Sequence, residues 1–419
     1  MLRVGEWWRW GRWVLAVVPL ALGIYAAVVI RQASQARDEA AAEVLAQSEL
    51  PFRIVPVDLT APSGVETVSA SPAYRDIAEY KDSIAVSARA GLFLYDRDGT
   101  PRGAWRTGLE LPPAELGGMA VGVAAGSAEP ELFIATRGAG LLAFNGTHFR
   151  QILPADAGLQ VVTAALVLGS GRILLGSEHR GLAVFDGRKL APFHAGLKNA
   201  HITALAGDDG DLWIGTLEHG LFHYHGGQLD DLGRDLPDPR VLSLAAADGA
   251  AFAGTPLGVV EFRAGARLRT LADGFFANAL ARRGQALYIG TEDEGIVETS
   301  LETRPAARDL PDAEAPAGAI VRLANLEGQV YAAAEDAIYR YEPAARRWRP
   351  VLAGGGFAMA DRDVAALALS GGRLWVGYFD RGLDIMDAGM EHAIRREDDT
   401  LFCVNRIVED TAGGRTAVA

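Results

Sequence analysis

Two Glu-His pairs stand about forty residues apart, Glu178-His179 and Glu218-His219, and His201 lies between them. Imidazoles with carboxylates are the donor set of a zinc site or of a general acid–base pair, provided the fold brings them to one place. No helical spacing or tight turn enforces that meeting, so the pairs read equally well as copied loops of a repeating structure. His148, His194, His223, His225 and His392 fall on strand ends or turns with no partner visible. Asp96-Arg97-Asp98-Gly99 has the outline of a calcium loop but lacks the distal glutamate, and reads as a turn. There is no nucleophile elbow, P-loop or dinucleotide fingerprint. The lone Cys403 excludes disulfide frameworks and thiolate zinc sites. The sequence therefore assigns no catalytic residue, no metal and no cofactor.

The elements that must position these residues repeat. The clearest copy is 201–232, HITALAGDDGDLWIGTLEHGLFHYHGGQLDDL. It reads as an apolar strand, an Asp-Asp-Gly turn, a strand with a bulky pair, a loop, a third strand opened by Gly220, a Gly-Gly turn and a short fourth strand. Glycine and aspartate suit the positive-φ positions of such hairpins. Strong copies recur at 161–193, 240–271 and 363–389, and weaker ones at 131–153, 83–99, 286–298 and 329–348. The third strand opens at Gly91, Gly140, Gly181, Gly220, Gly258, Gly295, Ala337 and Gly382. A period near forty with four short strands is the arithmetic of a β-propeller blade. The expected fold is all-β, a β-propeller of eight four-stranded blades, with seven or nine as alternatives. Trp213, Trp375, Phe133, Leu174, Phe252 and Tyr288 should fill the space between blades. Residues 52–70 and 402–419 are expected to share one composite blade, the alternative being a sequence cut from a longer protein.

The runs LWIGT…GLFHY (212–224), LWVGY…GLDIM (374–386) and ILLGS…GLAVF (173–185) resemble the two-component-regulator propeller repeat. That resemblance covers roughly 74–398, and it implies an extracytoplasmic propeller that binds a ligand or a protein, as in the periplasmic sensor regions of hybrid histidine kinases. No kinase, response-regulator or cyclic-dinucleotide-synthase segment follows the repeats, so signalling by this chain alone is not expected.

Composition agrees with a turn-rich β protein: 49 of 419 residues are glycine, and hydrophobic residues make up 49%. A net charge of −13 argues against binding a nucleic-acid backbone. Before the repeats, residues 13–30 are uncharged and apolar, at about 27 Å for a helix close to the ~30 Å hydrocarbon core. Trp7, Trp8, Trp10 and Trp13 gather at its start, and Arg3, Arg9 and Arg12 precede it. The expected organisation is a short cytoplasmic tail (1–12), a transmembrane signal anchor (13–30), a helical stalk (31–50) and the propeller (51–419), its last repeat incomplete. The positive-inside rule then places a single-pass protein in the inner membrane with the propeller in the periplasm or outside. A cleaved signal peptide is the competing expectation.

Within a blade, the loop between second and third strands and the approach to the first strand share one edge. Both are rich in charge. The loops supply Arg137, Glu178, His179, Arg180, Glu218, His219, Glu292, Asp293, Glu294, Asp380 and Arg381, and the approaches supply Arg75, Asp76, His201, Arg240, Asp363, Asn405 and Arg406. The residues chosen as ligand-binding at the channel mouth are Glu178, His179, Arg180, His201, Glu218, His219, Arg240, Asp380, Arg381 and Arg406. The expected function is a membrane-anchored extracytoplasmic binding module, a sensor or scaffold whose partner is an unidentified ligand or protein. The alternative is an exported lyase or hydrolase using the His/Glu cluster.

Overall fold

A computed structural model describes residues 25–33, 57–59, 73–155, 159, 161–302, 316, 318–335, 337–353, 364–387, 393–397, 401–410 and 415–419. The chain divides into two compact units, Met1–Arg53 and Ile54–Ala419. In the first, residues 25–33 form a solvent-exposed helix. No described helix is long and apolar enough to cross a membrane. Most of the expected anchor and stalk lies outside the described residues.

The second unit is nearly all β and consists of nine small antiparallel sheets in chain order, propeller-like blades of the kind the repeat implies. Sheet 1 spans 74–106, sheet 2 115–153, sheet 3 162–192, sheet 4 202–231, sheet 5 243–271, sheet 6 277–300, sheet 7 320–353, sheet 8 364–396 and sheet 9 407–418. Sheets 1, 3, 4, 5, 7 and 8 have four strands in the order 1-2-3-4. Sheet 6 has three strands and sheet 9 two among the described residues. Sheet 2 gains a fifth, because Val57–Leu59 pairs antiparallel with its outer strand, Val57 opposite Gln151 and Leu59 opposite Phe149.

Second strands are the most buried, as a strand covered on both faces must be. Asp211–Thr216 and Ala250–Thr255 are buried at almost every position. Phe133, Trp213, Phe252 and Tyr288 are buried between sheets as expected, while Trp375 is only partly buried. Two glycines show what the repeat demands. Gly181 opens a third strand at φ +75°, and a Cβ there would lie 1.9 Å from the Leu197 carbonyl oxygen. At Gly215, in the second strand of sheet 4, a Cβ would lie 2.6 Å from Val241 Cγ1 at the approach to sheet 5. The first glycine serves the turn within a sheet, and the second serves stacking between sheets.

Neighbouring first strands pack in a circuit. Tyr74–Tyr80 lies against Glu115–Gly122, followed in turn by Val162–Val167, Ile202–Gly207, Ser243–Ala247, Ala277–Arg283 and Ile320–Leu326, and the last packs back on Tyr74–Tyr80. The return is direct. Tyr74 N–H donates to the Glu335 carbonyl at 3.1 Å, and Arg322 Nε meets Asp76 Oδ1 at 2.6 Å. Hydroxyls tie several of the other joints: Thr163 to Ile202 O at 2.5 Å, Thr203 to Val241 O at 2.5 Å and Ser243 to Ala277 O at 2.8 Å.

Two expectations are corrected here. Sheet 8 is not inserted between sheets 7 and 1, so the eight repeats do not make one eight-membered ring. Its first strand, Val364–Ser370, packs on Ile407–Asp410 of sheet 9 instead, and leaves Leu367 64% and Leu369 72% exposed. Nor do the described parts of 52–70 and 402–419 share a blade. Val57–Leu59 pairs in sheet 2, and Ile407–Asp410 pairs with Arg415–Val418.

Candidate functional site

The loops joining second to third strands are built alike. In five of them a residue at, or one before, the end of the second strand carries a buried hydroxyl that donates to the carbonyl of the glycine opening the third strand. The pairs are Thr136 to Gly140 at 2.7 Å, Ser177 to Gly181 at 2.9 Å, Thr216 to Gly220 at 2.8 Å, Thr255 to Gly258 at 2.9 Å and Thr291 to Gly295 at 3.0 Å. The same oxygen accepts an N–H from within the loop, for example Arg180 at 3.0 Å, His219 at 3.0 Å and Glu294 at 2.9 Å. A buried hydroxyl satisfied in both directions fixes the loop backbone, and the loop side chains then point to solvent.

Each chosen residue can now be placed. Glu178 is half-buried, reaches Arg137 of the neighbouring loop at 3.6 Å, and has its own neighbour His179 at 3.9 Å. His179 itself is largely exposed. Arg180, Glu218 and His219 are exposed on their capped loops, and His201 is partly buried, its carbonyl accepting from Leu217 N–H at 2.9 Å. Asp380 and Arg381 are exposed on the sheet 8 loop, where Arg381 lies 3.8 Å from Glu397. Arg406 is exposed and its backbone pairs with Ala419.

Arg240 turns back on its own neighbour. Its guanidinium grips Asp238 through Nε at 2.9 Å and NH2 at 2.7 Å, which holds the Asp238 carboxyl below the usual carboxylate range. Of the remaining approach residues, Arg75 pairs with Glu115 at 2.7 Å, and Asp363 lies outside the described residues. Asp76 is only 3% exposed and is wholly engaged in structure. Its Oδ1 accepts from Ile77 N–H at 2.8 Å and from Arg322, and its Oδ2 accepts from Met119 N–H at 2.6 Å.

Glu178, His179, His201, Glu218 and His219 do not form a group of three with ligand atoms within 4.8 Å of one another. Among the described residues the only three His, Cys, Asp or Glu groups with ligand atoms within 4.8 Å of one another are His223, His225 and Asp230. These lie on the third and fourth strands of sheet 4, towards the opposite edge. Two histidines at i and i+2 on a strand share a face. That alternation in His223-Tyr224-His225 was the signal available in the sequence.

Comparison with known proteins gives only distant likeness to solved structures. No protein-family model matches the chain, and no curated protein matches it. The extracellular domain of a hybrid two-component system of B. thetaiotaomicron is similar at 16% identity and a TM-score of 0.40, over 82% of this chain and 55% of that one. PorZ, a surface component of the type-IX secretion system of Porphyromonas gingivalis, is similar at 15% identity and a TM-score of 0.46, over 85% of this chain and 56% of that one. The computationally designed protein Ika8 is similar at 14% identity and a TM-score of 0.43, over 86% and 99%. The chain thus spans little more than half the length of the two natural structures.

Proposed function

We propose that this chain is a binding module: sheets 1 to 7 form a seven-bladed ring held outside the cytoplasmic membrane by residues 13–30, and the edge carrying the capped loops engages a ligand or protein. The observation that carries the reading is the contrast within those loops. Their backbones are fixed by five buried hydroxyls, while Arg180, Glu218 and His219 stay at the surface. A rigid frame that presents mixed charge suits recognition with little ordering cost. Its sign is not uniformly basic, which suits a protein or polar ligand better than a nucleic acid. The apolar run 13–30, its tryptophans and the arginines before it support the tether and the orientation.

The test is site-directed photo-crosslinking of the full chain in its own envelope. A crosslinking residue replaces Glu218 or Arg180 on the loop edge, or Gly226 in a turn of the opposite edge. The proposal expects a discrete adduct from the first two positions and none from the third. Adducts from all three alike, or only from Gly226, would refute it. Protease added to spheroplasts should digest residues after 31, and full protection would sink the extracytoplasmic placement.

A further inference from the structure

We propose that sheet 4 carries a divalent metal site formed by His223, His225 and Asp230, with Asp211 as the residue that orients His223. It is independent of the loop edge and of the partner proposed to bind there. The register of the sheet makes the site. Leu221–His225 is the third strand, Asp211–Thr216 the second and Gln228–Asp231 the fourth. His223 stands opposite Trp213 on one side and Asp230 on the other, while His225 stands opposite Asp211 and Gln228. All these side chains therefore project from one face, the face covered by sheet 5.

The geometry around His223 is that of a ligand held in advance. The ring stacks on Trp213, centroids 3.9 Å apart and planes within 11°, which fixes its plane. Its Nε2 meets Asp211 Oδ1 at 2.5 Å. A carboxylate on one ring nitrogen fixes the tautomer and raises the basicity of the other, as in the carboxylate–histidine–metal arrangement. The other nitrogen, Nδ1, is buried without a hydrogen-bond partner. Buried polar atoms are rarely left so. Beside it runs the Gly265 turn of sheet 5, at φ +74°, where a Cβ would come 3.3 Å from Nδ1. Glycine there keeps the space open.

His225 lies with its ring 4.6 Å from that of His223, and its Nε2 is 2.8 Å from Asp230 Oδ2. His225 is partly exposed and Asp230 exposed, so an ion could enter from solvent while His223 anchors it from inside. Tetrahedral ligands on zinc at about 2.0–2.1 Å stand roughly 3.3 Å apart, so ligand atoms within 4.8 Å need only small side-chain rotations to close on the ion. Two imidazoles and a carboxylate suit Zn²⁺ or a similar borderline ion, whereas calcium and magnesium favour oxygen donors. Three protein ligands leave a fourth position for water.

Zinc chloride titrated into the full chain, followed by calorimetry and by competition with a chromophoric chelator, tests this. One equivalent should bind, and binding should weaken in acid, because the ligands must be deprotonated to hold the ion. Cobalt(II) in place of zinc should give the visible absorbance of a tetrahedral site. His225→Gln and Asp230→Asn change exposed or partly exposed groups and should fold, yet each should abolish one-to-one binding. Asp211→Asn should weaken it about 10–100-fold without removing it. Absence of saturable one-to-one binding, or binding that survives both His225→Gln and Asp230→Asn, overturns the proposal.

Discussion

Replacing Asp76 by alanine should loosen the joints that sheet 1 makes with sheet 2, through Met119, and with sheet 7, through Arg322, where the circuit returns to its start. The carboxylate is buried and accepts three hydrogen bonds, from Ile77 N–H, Met119 N–H and Arg322 Nε. Ile77 and Met119 are themselves buried, so alanine strands two backbone donors away from water. Each such orphan costs about 1–3 kcal/mol. Arg322 is half exposed and can rehydrate, so its share is smaller, up to about 1 kcal/mol. The expected destabilisation is about 3–5 kcal/mol. Arg322→Ala leaves the carboxylate with both N–H donors, and should cost only about 1–2 kcal/mol. Urea denaturation of the full chain, followed by tryptophan fluorescence, measures both. Hydrogen exchange then localises the effect, because amides of 74–80 and 320–326 should exchange faster in Asp76→Ala than those of 243–255. A loss under about 1 kcal/mol in Asp76→Ala, or a larger one in Arg322→Ala, would show that this carboxylate does not hold these joints.

Three further outcomes follow from the sheet interiors and the turns. Thr216→Val keeps the shape of a fully buried side chain but strands His219 N–H, and should cost about 1–3 kcal/mol in the same denaturation assay. Gly181→Ala must relieve a 1.9 Å approach to the Leu197 carbonyl as well as a positive φ, so it should lower the melting temperature more than Gly226→Ala, whose Cβ meets nothing within 4 Å. Asp209 ties two turns together: it accepts from the Ser170 hydroxyl at 2.7 Å and from Arg172 at 2.8 Å, and these hold its carboxyl below the usual range. A depressed folded value means stabilisation present above the unfolded pKa, near 3.9, and lost as pH falls through the folded one. The stability gap between wild type and Asp209→Asn should therefore be constant from pH 7 to about 5 and close in stronger acid; a gap that widens on acidification would reverse the sign.

The blade was legible because its causes are local. Gly181, the Asp208–Gly210 turn and the bulky pair in Asp211–Thr216 each act within a few residues, and each announced its strand. Which sheet lies beside sheet 7 was not legible, because it depends on distant contacts. Whether sheet 7 is followed in space by sheet 8 or by sheet 1 rests on Tyr74 reaching Glu335 and Asp76 reaching Arg322. Nothing in the repeat of sheet 8 marks it as different, since LWVGY and Gly382 match the pattern as well as LWIGT and Gly220 do. Gly377 even receives Val404 of the following segment as Gly215 receives Val241. The same limit applied to the histidines. Spacing by one repeat suggested that His179 and His219 could meet, but one repeat is one sheet, and both side chains are exposed on capped loops of different sheets. The histidines that do meet are two residues apart on a single strand.

That difference separates scaffold from site. A feature found at the same place in sheet after sheet needs only a scaffold explanation: the hydroxyl cap of Thr136, Ser177, Thr216, Thr255 and Thr291 is one, and the glycine that follows it is another. A feature found once must be explained at its own position. Glu261 is buried in a third strand, where Arg269 binds it at 2.7 Å and reaches across to the Leu301 carbonyl of sheet 6 at 2.7 Å, so it has a structural use. Asp76 has one at the return joint. His223 occupies the position in sheet 4 that Glu261 occupies in sheet 5, each opposite the bulky residue of the second strand, Trp213 or Phe252. Both Glu261 carboxylate oxygens are matched by arginine. His223 has only half its hydrogen-bonding capacity used, with Asp211 on one nitrogen and none on the other. A residue that was merely filling the space between sheets 4 and 5 could be apolar, as Val184 is at the same place in sheet 3. A histidine there, half satisfied and stacked on tryptophan, is a position whose chemistry the scaffold does not require.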